Sequence, residues 1–514
     1  MTLSHTDCSI AKLATGIHSF DHIAMGGLPR GRATLVSGTP GSAKTVFAVQ
    51  FLVEGIRQSG EGGVFVTFEE RPEDIRANMR GFGWDIAEYE SAGMFAFVDA
   101  APQPGAEVFT GEEYDLATLL ARIRHAIEKV DAARVSIDAI GGLFTQFHNS
   151  ENVRREFLNV ARSLRDLNVT TCLTAERETD YGAVSFWGVE EFAADNVVIL
   201  RNTRAGSSRR RTVEILKMRG ANDQKGEFPF TLRPGEGFVA VPLSALRLSQ
   251  ASSEARVSSG IEALDALCGG GFFRDGVVLV SGATGAGKTL LSNHFLAEGA
   301  QNGETALLLS FEESEEQLFR NAASLGIDLR GLSATGRLRV ESAYPETATL
   351  EDHLINIQQA IEEIRPQRVA VDSLSALERA VSPEIFSEFI IALTAFLKER
   401  GVAGVYTSAS PELMGGASVT EMQISSLTDM IICLRYVEVY GELRRGLLVL
   451  KMRGSNHDRQ IREFRISGDG FHIGAPFHHV TNILSGEFSH IRPDAIRDVD
   501  VIRRERDETR QRER

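Results

Sequence analysis

Two phosphate-binding signatures, one in each half, constrain this chain more than any other feature. They read Gly38-Thr39-Pro40-Gly41-Ser42-Ala43-Lys44-Thr45 and Gly282-Ala283-Thr284-Gly285-Ala286-Gly287-Lys288-Thr289, with their lysines 244 positions apart. Each follows a short apolar run, Thr34 to Val36 or Val277 to Val280, and opens into a helical pattern. Strand, glycine-rich turn and helix together make a P-loop: backbone N–H groups point inward around phosphates, and the helix N-terminus adds partial positive charge. In that frame Lys44 and Lys288 reach the β- and γ-phosphates of ATP or ADP, and Thr45 and Thr289 hold Mg2+. The first copy has Ala43 where the second has Gly287. A right-handed helical start there accommodates a methyl group; a very close backbone approach to phosphate does not.

The repetition runs through the whole chain. Phe68-Glu69-Glu70 recurs as Phe311-Glu312-Glu313, Asp138 after Arg134-Val135-Ser136-Ile137 recurs as Asp372 after Arg368-Val369-Ala370-Val371, and Lys217-Met218-Arg219-Gly220 recurs as Lys451-Met452-Arg453-Gly454. A unit this long is a tandem domain duplication rather than a solenoid. Each half alternates apolar runs (Thr34–Val36, Gly63–Thr67, Met94–Asp99, Val135–Asp138 and Thr170–Thr174 in the first) with helical patterns such as Leu116–Val130 and Val153–Leu167. Asn196–Arg201 and Arg211–Lys217 read as an added antiparallel hairpin. The expected fold class is α/β: two tandem RecA-like P-loop NTPase domains, each a mostly parallel sheet covered by helices. The divisions are 1–241 for the first domain, 242–259 for a Ser/Ala-rich linker, 260–490 for the second domain and 491–514 for a charged tail.

Composition narrows the class. The net charge of −15 argues against bulk nucleic-acid binding, which needs a basic footprint. Cys8, Cys172, Cys268 and Cys433 are scattered without metal-binding spacing, which reads as reduced thiols in a cytoplasmic protein. No apolar run reaches membrane-spanning length.

Several residues carry chemistry. Asp138 and Asp372 end buried-type strands downstream of a P-loop, where a Walker-B carboxylate holds Mg2+ through its water shell. Glu69-Glu70 and Glu312-Glu313 also follow strands, near the expected γ-phosphate. Adjacent carboxylates raise each other's pKa, so that one accepts a proton while the other stays ionised. Lys217/Arg219 and Lys451/Arg453 lie on strands remote from their own P-loop; in a ring of such domains they face the neighbour's nucleotide. Arg209-Arg210-Arg211 reads as a solvated hairpin turn. The halves differ most at Ser418-Val419-Thr420-Glu421-Met422-Gln423-Ile424-Ser425-Ser426, a run of hydroxyls absent from Gly182 to Glu191. By residue chemistry alone, caps and turns account for such a run.

These motifs, in this order, resemble the KaiC family of double-domain RecA-like ATPases and autokinases at the centre of the cyanobacterial circadian oscillator. The likeness spans about residues 10 to 490. It is densest at Arg256-Val257-Ser258-Ser259-Gly260, Cys268-Gly269-Gly270-Gly271-Phe272-Phe273, Asp372-Ser373-Leu374-Ser375-Ala376-Leu377 and Lys451-Met452-Arg453-Gly454-Ser455 with His457-Asp458. The resemblance implies a homohexamer of two stacked rings with ATP and Mg2+ at subunit interfaces, a slow ATPase in the first ring that docks a KaiB-like protein, and a serine/threonine autokinase and autophosphatase in the second. It places the phospho-acceptors on Ser425 and Ser426, with Thr420 as an accessory hydroxyl. It implies Glu312, with Glu313, as the base of transfer, and Glu69 and Glu70 as orienting the hydrolytic water. Lys217, Arg219, Lys225, Lys451, Arg453 and His457 are implied to contact the neighbour's nucleotide.

The chain departs from the family in places. Ser426 stands where a threonine is usual, and Asp223 and Arg459 stand where His and Lys are expected. Ser-Ser acceptor pairs are familiar among homologues outside the core clock, so the expectation is a clock, timer or stress-signalling core protein. After Pro493 the mixed-charge tail does not resemble the segment bound by KaiA, so independence of KaiA is expected, and a short tail helix offers a route to paired hexamers, a dodecamer. Neither a membrane nor a nucleic acid is expected as partner. Two other readings share the fold: a RecA/RadA-like DNA-dependent ATPase, and a non-kinase hexameric scaffold whose nucleotides serve as glue.

Overall fold

The computed structural model describes residues 10–101, 116–144, 150–186, 188, 191, 194–205, 208–241, 252–410, 424–439, 441–468, 470–477, 480–481 and 489–490. The chain divides into two compact units, Met1–Ala245 and Leu246–Arg514.

The main sheet of the first unit has nine strands: β1 (Ala33–Gly38), β2 (Gly62–Thr67), β3 (Phe95–Asp99), β4 (Ala132–Asp138), β5 (Thr170–Glu176), β6 (Asn196–Ala205), β7 (Ser208–Met218), β8 (Glu227–Arg233) and β9 (Gly237–Ala240). Their order is β3-β2-β4-β5-β1-β6-β7-β8-β9, parallel as far as β6 and antiparallel beyond it. The second unit builds β10 (Val277–Gly282), β11 (Ala306–Ser310), β12 (Leu338–Ser342), β13 (Arg368–Asp372), β14 (Ala403–Ala409), β15 (Met430–Val439), β16 (Glu442–Met452), β17 (Arg462–Ser467) and β18 (Gly470–Pro476). Its order is β12-β11-β13-β14-β10-β15-β16-β17-β18, the same topology place for place. The repeat in sequence is a repeat in topology.

Every residue of β1 and of β10 is buried. A central parallel strand with helices on both sides has no solvent face, which is why Val277-Val278-Leu279-Val280 runs apolar without alternation. In the first unit Leu35 joins the core on one face of the sheet and Val36 the core on the other. The helix Leu116–Val130 buries Leu119, Ile123, Ala126, Ile127 and Val130, a stripe at helical spacing laid on the first of these cores. Among the described residues, no helix is long and apolar enough to cross a membrane.

Two local expectations change. Within 242–259, Arg256–Val257 is a strand paired with Phe272–Phe273, and Ser253 N donates to Asp275, so this end of the expected linker is built into the second unit. Arg209 to Arg211 form the start of β7, not the turn: Arg209 lies opposite Arg204, and Arg211 Nε donates to Gly41 O at 3.3 Å, reaching the first P-loop. Its extended backbone, paired along β6, is what carries it there.

Candidate functional site

β1 and β10 end at Gly38 and Gly282, so both P-loops sit at the carboxyl edge of their sheets, where open α/β sheets bind ligands. The helices α1 (Lys44–Glu54) and α2 (Lys288–Gln301) begin at the P-loop lysines. Lys44 Nζ donates to Gly38 O (3.0 Å) and Thr39 O (3.2 Å); Lys288 Nζ donates to Gly282 O (2.8 Å) and Ala283 O (3.0 Å). Burial lowers the pKa of both ammonium groups, opposed by the carboxylates around them. Thr45 Oγ1 donates to Asp138 Oδ2 at 2.7 Å, and the Thr289 hydroxyl lies beside Asp372, where it favours the ionised carboxylate. Asp138 also accepts from Thr174, and Asp372 from Thr407. Burial raises the pKa of both aspartates.

These donors fit a magnesium nucleotide. Positive φ at Gly41 and Gly285 (both +76°) turns each loop inward, and the buried Ser42 Oγ has no hydrogen-bond partner among the described residues. An ammonium, a hydroxyl and a carboxylate thus converge at each loop, the set that holds phosphates and Mg2+. The Ala43 question resolves in an unexpected way. Its backbone is left-handed (φ 73°, ψ 26°), like Gly287 (φ 107°), so it is not the right-handed helical start that would have made alanine easy. Its methyl instead packs against the first unit's core.

The paired glutamates follow β2 and β11. Phe68 N donates to Asp138 O (2.9 Å) and Phe311 N to Asp372 O (2.8 Å), holding each Phe-Glu-Glu turn beside its Walker-B strand. Thr67 Oγ1 donates to Glu70 O (2.6 Å), and Ser310 Oγ to Glu313 O (2.8 Å). The outer carboxylates are matched: Asn78 donates to Glu70 (3.4 Å) and Asn321 to Glu313 (3.1 Å). The inner ones differ, since Arg379 Nη2 lies 3.1 Å from Glu312 Oε1 while Glu69 faces Glu176, Asp138 and Lys44. Mutual repulsion is not the main reason the first pair is shifted. Burial raises the pKa of Glu69 most, then Glu176 and Asp138, and Glu70 contributes least; burial also leads for Glu70, followed by Asp138 and Asp74.

Ser425 is half-buried and Ser426 exposed, just ahead of β15. Asp429 ties that segment to the start of β10, its N–H donating to Val277 O (2.9 Å) and its carboxylate accepting from Val277 N (3.0 Å). The second P-loop begins at the other end of β10, five residues on, about 16 Å along a strand. The serine pair therefore stands at the edge opposite its own phosphate cradle. Lys451 Nζ donates to Ser425 O and to Thr428 O (2.8 Å), and Arg453 Nη2 donates to Ser426 O at 2.6 Å. The two cations expected to face a neighbour thus also hold the hydroxyl segment of their own chain. In the first unit Lys217 holds the matching segment, which carries no run of hydroxyls, by donating to Glu191 O (3.0 Å) and Ala194 O (2.8 Å). Arg219 is exposed at the end of β7, Lys225 pairs with Asp223 at 2.9 Å, and His457 is half-buried. Thr420 and the 491–514 tail lie outside the described residues.

Sequence reasoning missed Thr174, Thr407, Arg379 and Glu176. The threonines and Glu176 come from strands that carry no motif, and Arg379 lies 67 residues from the glutamate it meets. The recurrence of a strand-borne threonine at matching places in both halves was the one usable signal.

A family profile described as "ATPase: KaiC" matches residues 13–244 and again 257–477. The circadian clock protein KaiC3 of Synechocystis sp. is 57% identical over 93% of this chain and 94% of its own length. The circadian clock oscillator protein KaiC of Thermostichus vulcanus is 49% identical over 95% of this chain and 94% of its own. That of Synechococcus elongatus is 49% identical over 95% and 93%.

Proposed function

This chain belongs to the KaiC family of ATPases, and from that premise we propose that it is an autophosphorylating ATPase whose second unit transfers the γ-phosphoryl group of ATP to Ser425 and Ser426 of a neighbouring copy. The observation that carries this reading is the position of the serine pair. It lies a full strand length from its own P-loop yet between Lys451 and Arg453, cations of the type that reach a neighbour's nucleotide.

In the proposed step Lys288 and Thr289 orient the polyphosphate and its metal, and Asp372 fixes Thr289. Glu312 of the nucleotide-holding copy, kept in place by Arg379, accepts the serine hydroxyl proton. The serine oxygen bonds to the γ-phosphorus as the bond from phosphorus to the β,γ-bridging oxygen breaks, and ADP departs. Run backwards, the same arrangement returns the group to ADP. In the first unit Glu69 and Glu70 orient water instead, which gives hydrolysis. The hexamer, Mg2+, a KaiB-like protein docking on the first unit, independence of KaiA and a cytoplasmic location belong to the same proposal.

Incubation with [γ-32P]ATP and Mg2+, followed by phosphopeptide mapping, tests the acceptor assignment. Label is expected on the peptide holding Ser425 and Ser426, unchanged by added KaiA and lost in a Ser425→Ala/Ser426→Ala chain. Phosphate release without any label would leave a plain ATPase.

A further inference from the structure

The two nucleotide sites differ in charge at one register position. Glu176 pairs with Gly38 at the end of β1, and in the second unit Ala409 pairs with Gly282 at the end of β10. Glu176 Oε1 lies 3.7 Å from Lys44 Nζ, the ammonium that the first P-loop offers to phosphate. Four residues on, Asp180 Oδ1 accepts from Thr39 Oγ1 (2.8 Å) and Asn202 N (3.1 Å), which pins the segment after Glu176 beside the loop. The second loop has Ala283 in place of Thr39, with no hydroxyl to offer. The charges around the lysines diverge accordingly. Glu176, Asp138 and Glu69 act on Lys44, whereas Asp372, Glu312 and the guanidinium of Arg435 act on Lys288.

We propose that Glu176 competes with the nucleotide's phosphates for Lys44, a device that shortens the stay of ADP at the first site and that is missing at the matching register position of the second, where Ala409 stands. The inference rests on reading the first P-loop as a nucleotide site. A phosphate arriving at Lys44 must share the ammonium with the carboxylate or displace it, and two anions a few ångströms apart repel. The Glu176 side chain is 54% exposed, so solvent screens the repulsion and the effect is moderate. Removing the charge tightens ADP by about fivefold, the factor that corresponds to roughly 1 kcal/mol.

The test uses the full chain carrying Lys288→Ala, so that fluorescent mant-ADP reports on the first site. Adding Glu176→Gln should lower the mant-ADP Kd about fivefold, chiefly by slowing dissociation. In the reciprocal background, Lys44→Ala, the change Ala409→Glu should weaken the second site by a similar factor. Unchanged or weaker binding in the glutamine variant overturns the proposal, as does a loss of hydrolysis at constant Kd, which would assign Glu176 to the attacking water. Absence of any binding in the Lys288→Ala parent would overturn the nucleotide-site reading itself, and this inference with it.

Discussion

Replacing Gly287 by alanine lowers phosphate incorporation at the second unit by about tenfold or more, while Ala43→Gly leaves hydrolysis at the first within about twofold. The positions are equivalent, and their surroundings decide the outcome. Gly287 has φ 107°, and a Cβ built on it would stand 2.8 Å from Ile466 Cδ1 and 3.4 Å from Phe471. A left-handed backbone costs an L-residue about 1–2 kcal/mol, and shifting packed neighbours adds a comparable amount. Because Gly287 is the N-cap of α2, the strain falls where backbone N–H groups and Lys288 meet phosphate. Ala43 already occupies the left-handed region with its methyl against the core, so glycine there removes strain and a small contact together. Filter binding of labelled chain and steady-state phosphate release, measured in parallel, check both halves of the prediction. Equal tolerance at the two positions would contradict it.

Asp372→Asn separates stability from activity. The aspartate is 7% exposed, and burial holds its carboxyl above its ordinary pKa of 3.8. A raised folded-state pKa means the native chain prefers the protonated form. The stability associated with that proton is fully present below 3.8 and is lost as pH rises through the folded-state value. Asparagine, which carries no charge, recovers it at neutral pH, so the second unit of the variant melts later than that of the wild type. The advantage shrinks on acidification, as the wild-type carboxyl protonates. The same change deprives Thr289 of its anionic partner, so second-site turnover falls by about a hundredfold or more. Calorimetry at pH 7 and pH 5 beside a labelling assay reads both effects. A variant that melts earlier than wild type at pH 7 would refute the stability argument.

Much of the architecture was legible in the chain because both halves say the same thing. Continuous apolar runs mark central parallel strands, a glycine-rich turn before a helix marks each P-loop, and the recurrence of Asp138 as Asp372 marks the carboxyl edge of each sheet. What stayed hidden depends on side-chain partnership across long separations. Arg379 reaches Glu312, Glu176 reaches Lys44, and the threonines that bond Asp138 and Asp372 come from two strands, one in each unit, that carry no motif of their own. Local rules also misjudged Arg211, since a run of three arginines beside serines looks like a solvated turn until strand pairing carries one of them to Gly41. The backbone at Ala43 was hidden for a related reason: propensity disfavours alanine at positive φ, and tertiary packing overrides it.

The central claim is transfer between copies, and complementation tests it most directly. Chains carrying Lys288→Ala keep both serines but lack a working second cradle; chains carrying Ser425→Ala/Ser426→Ala keep the cradle but lack acceptors. Each alone should take up no label from [γ-32P]ATP. Co-assembled from nucleotide-free chains, with one species tagged for separation by size, the pair should place label on the Lys288→Ala chain at Ser425 and Ser426. If the wild type labels and the co-assembled pair does not, the group moves within one chain, and the account built on the opposite-edge position of the serine pair is wrong.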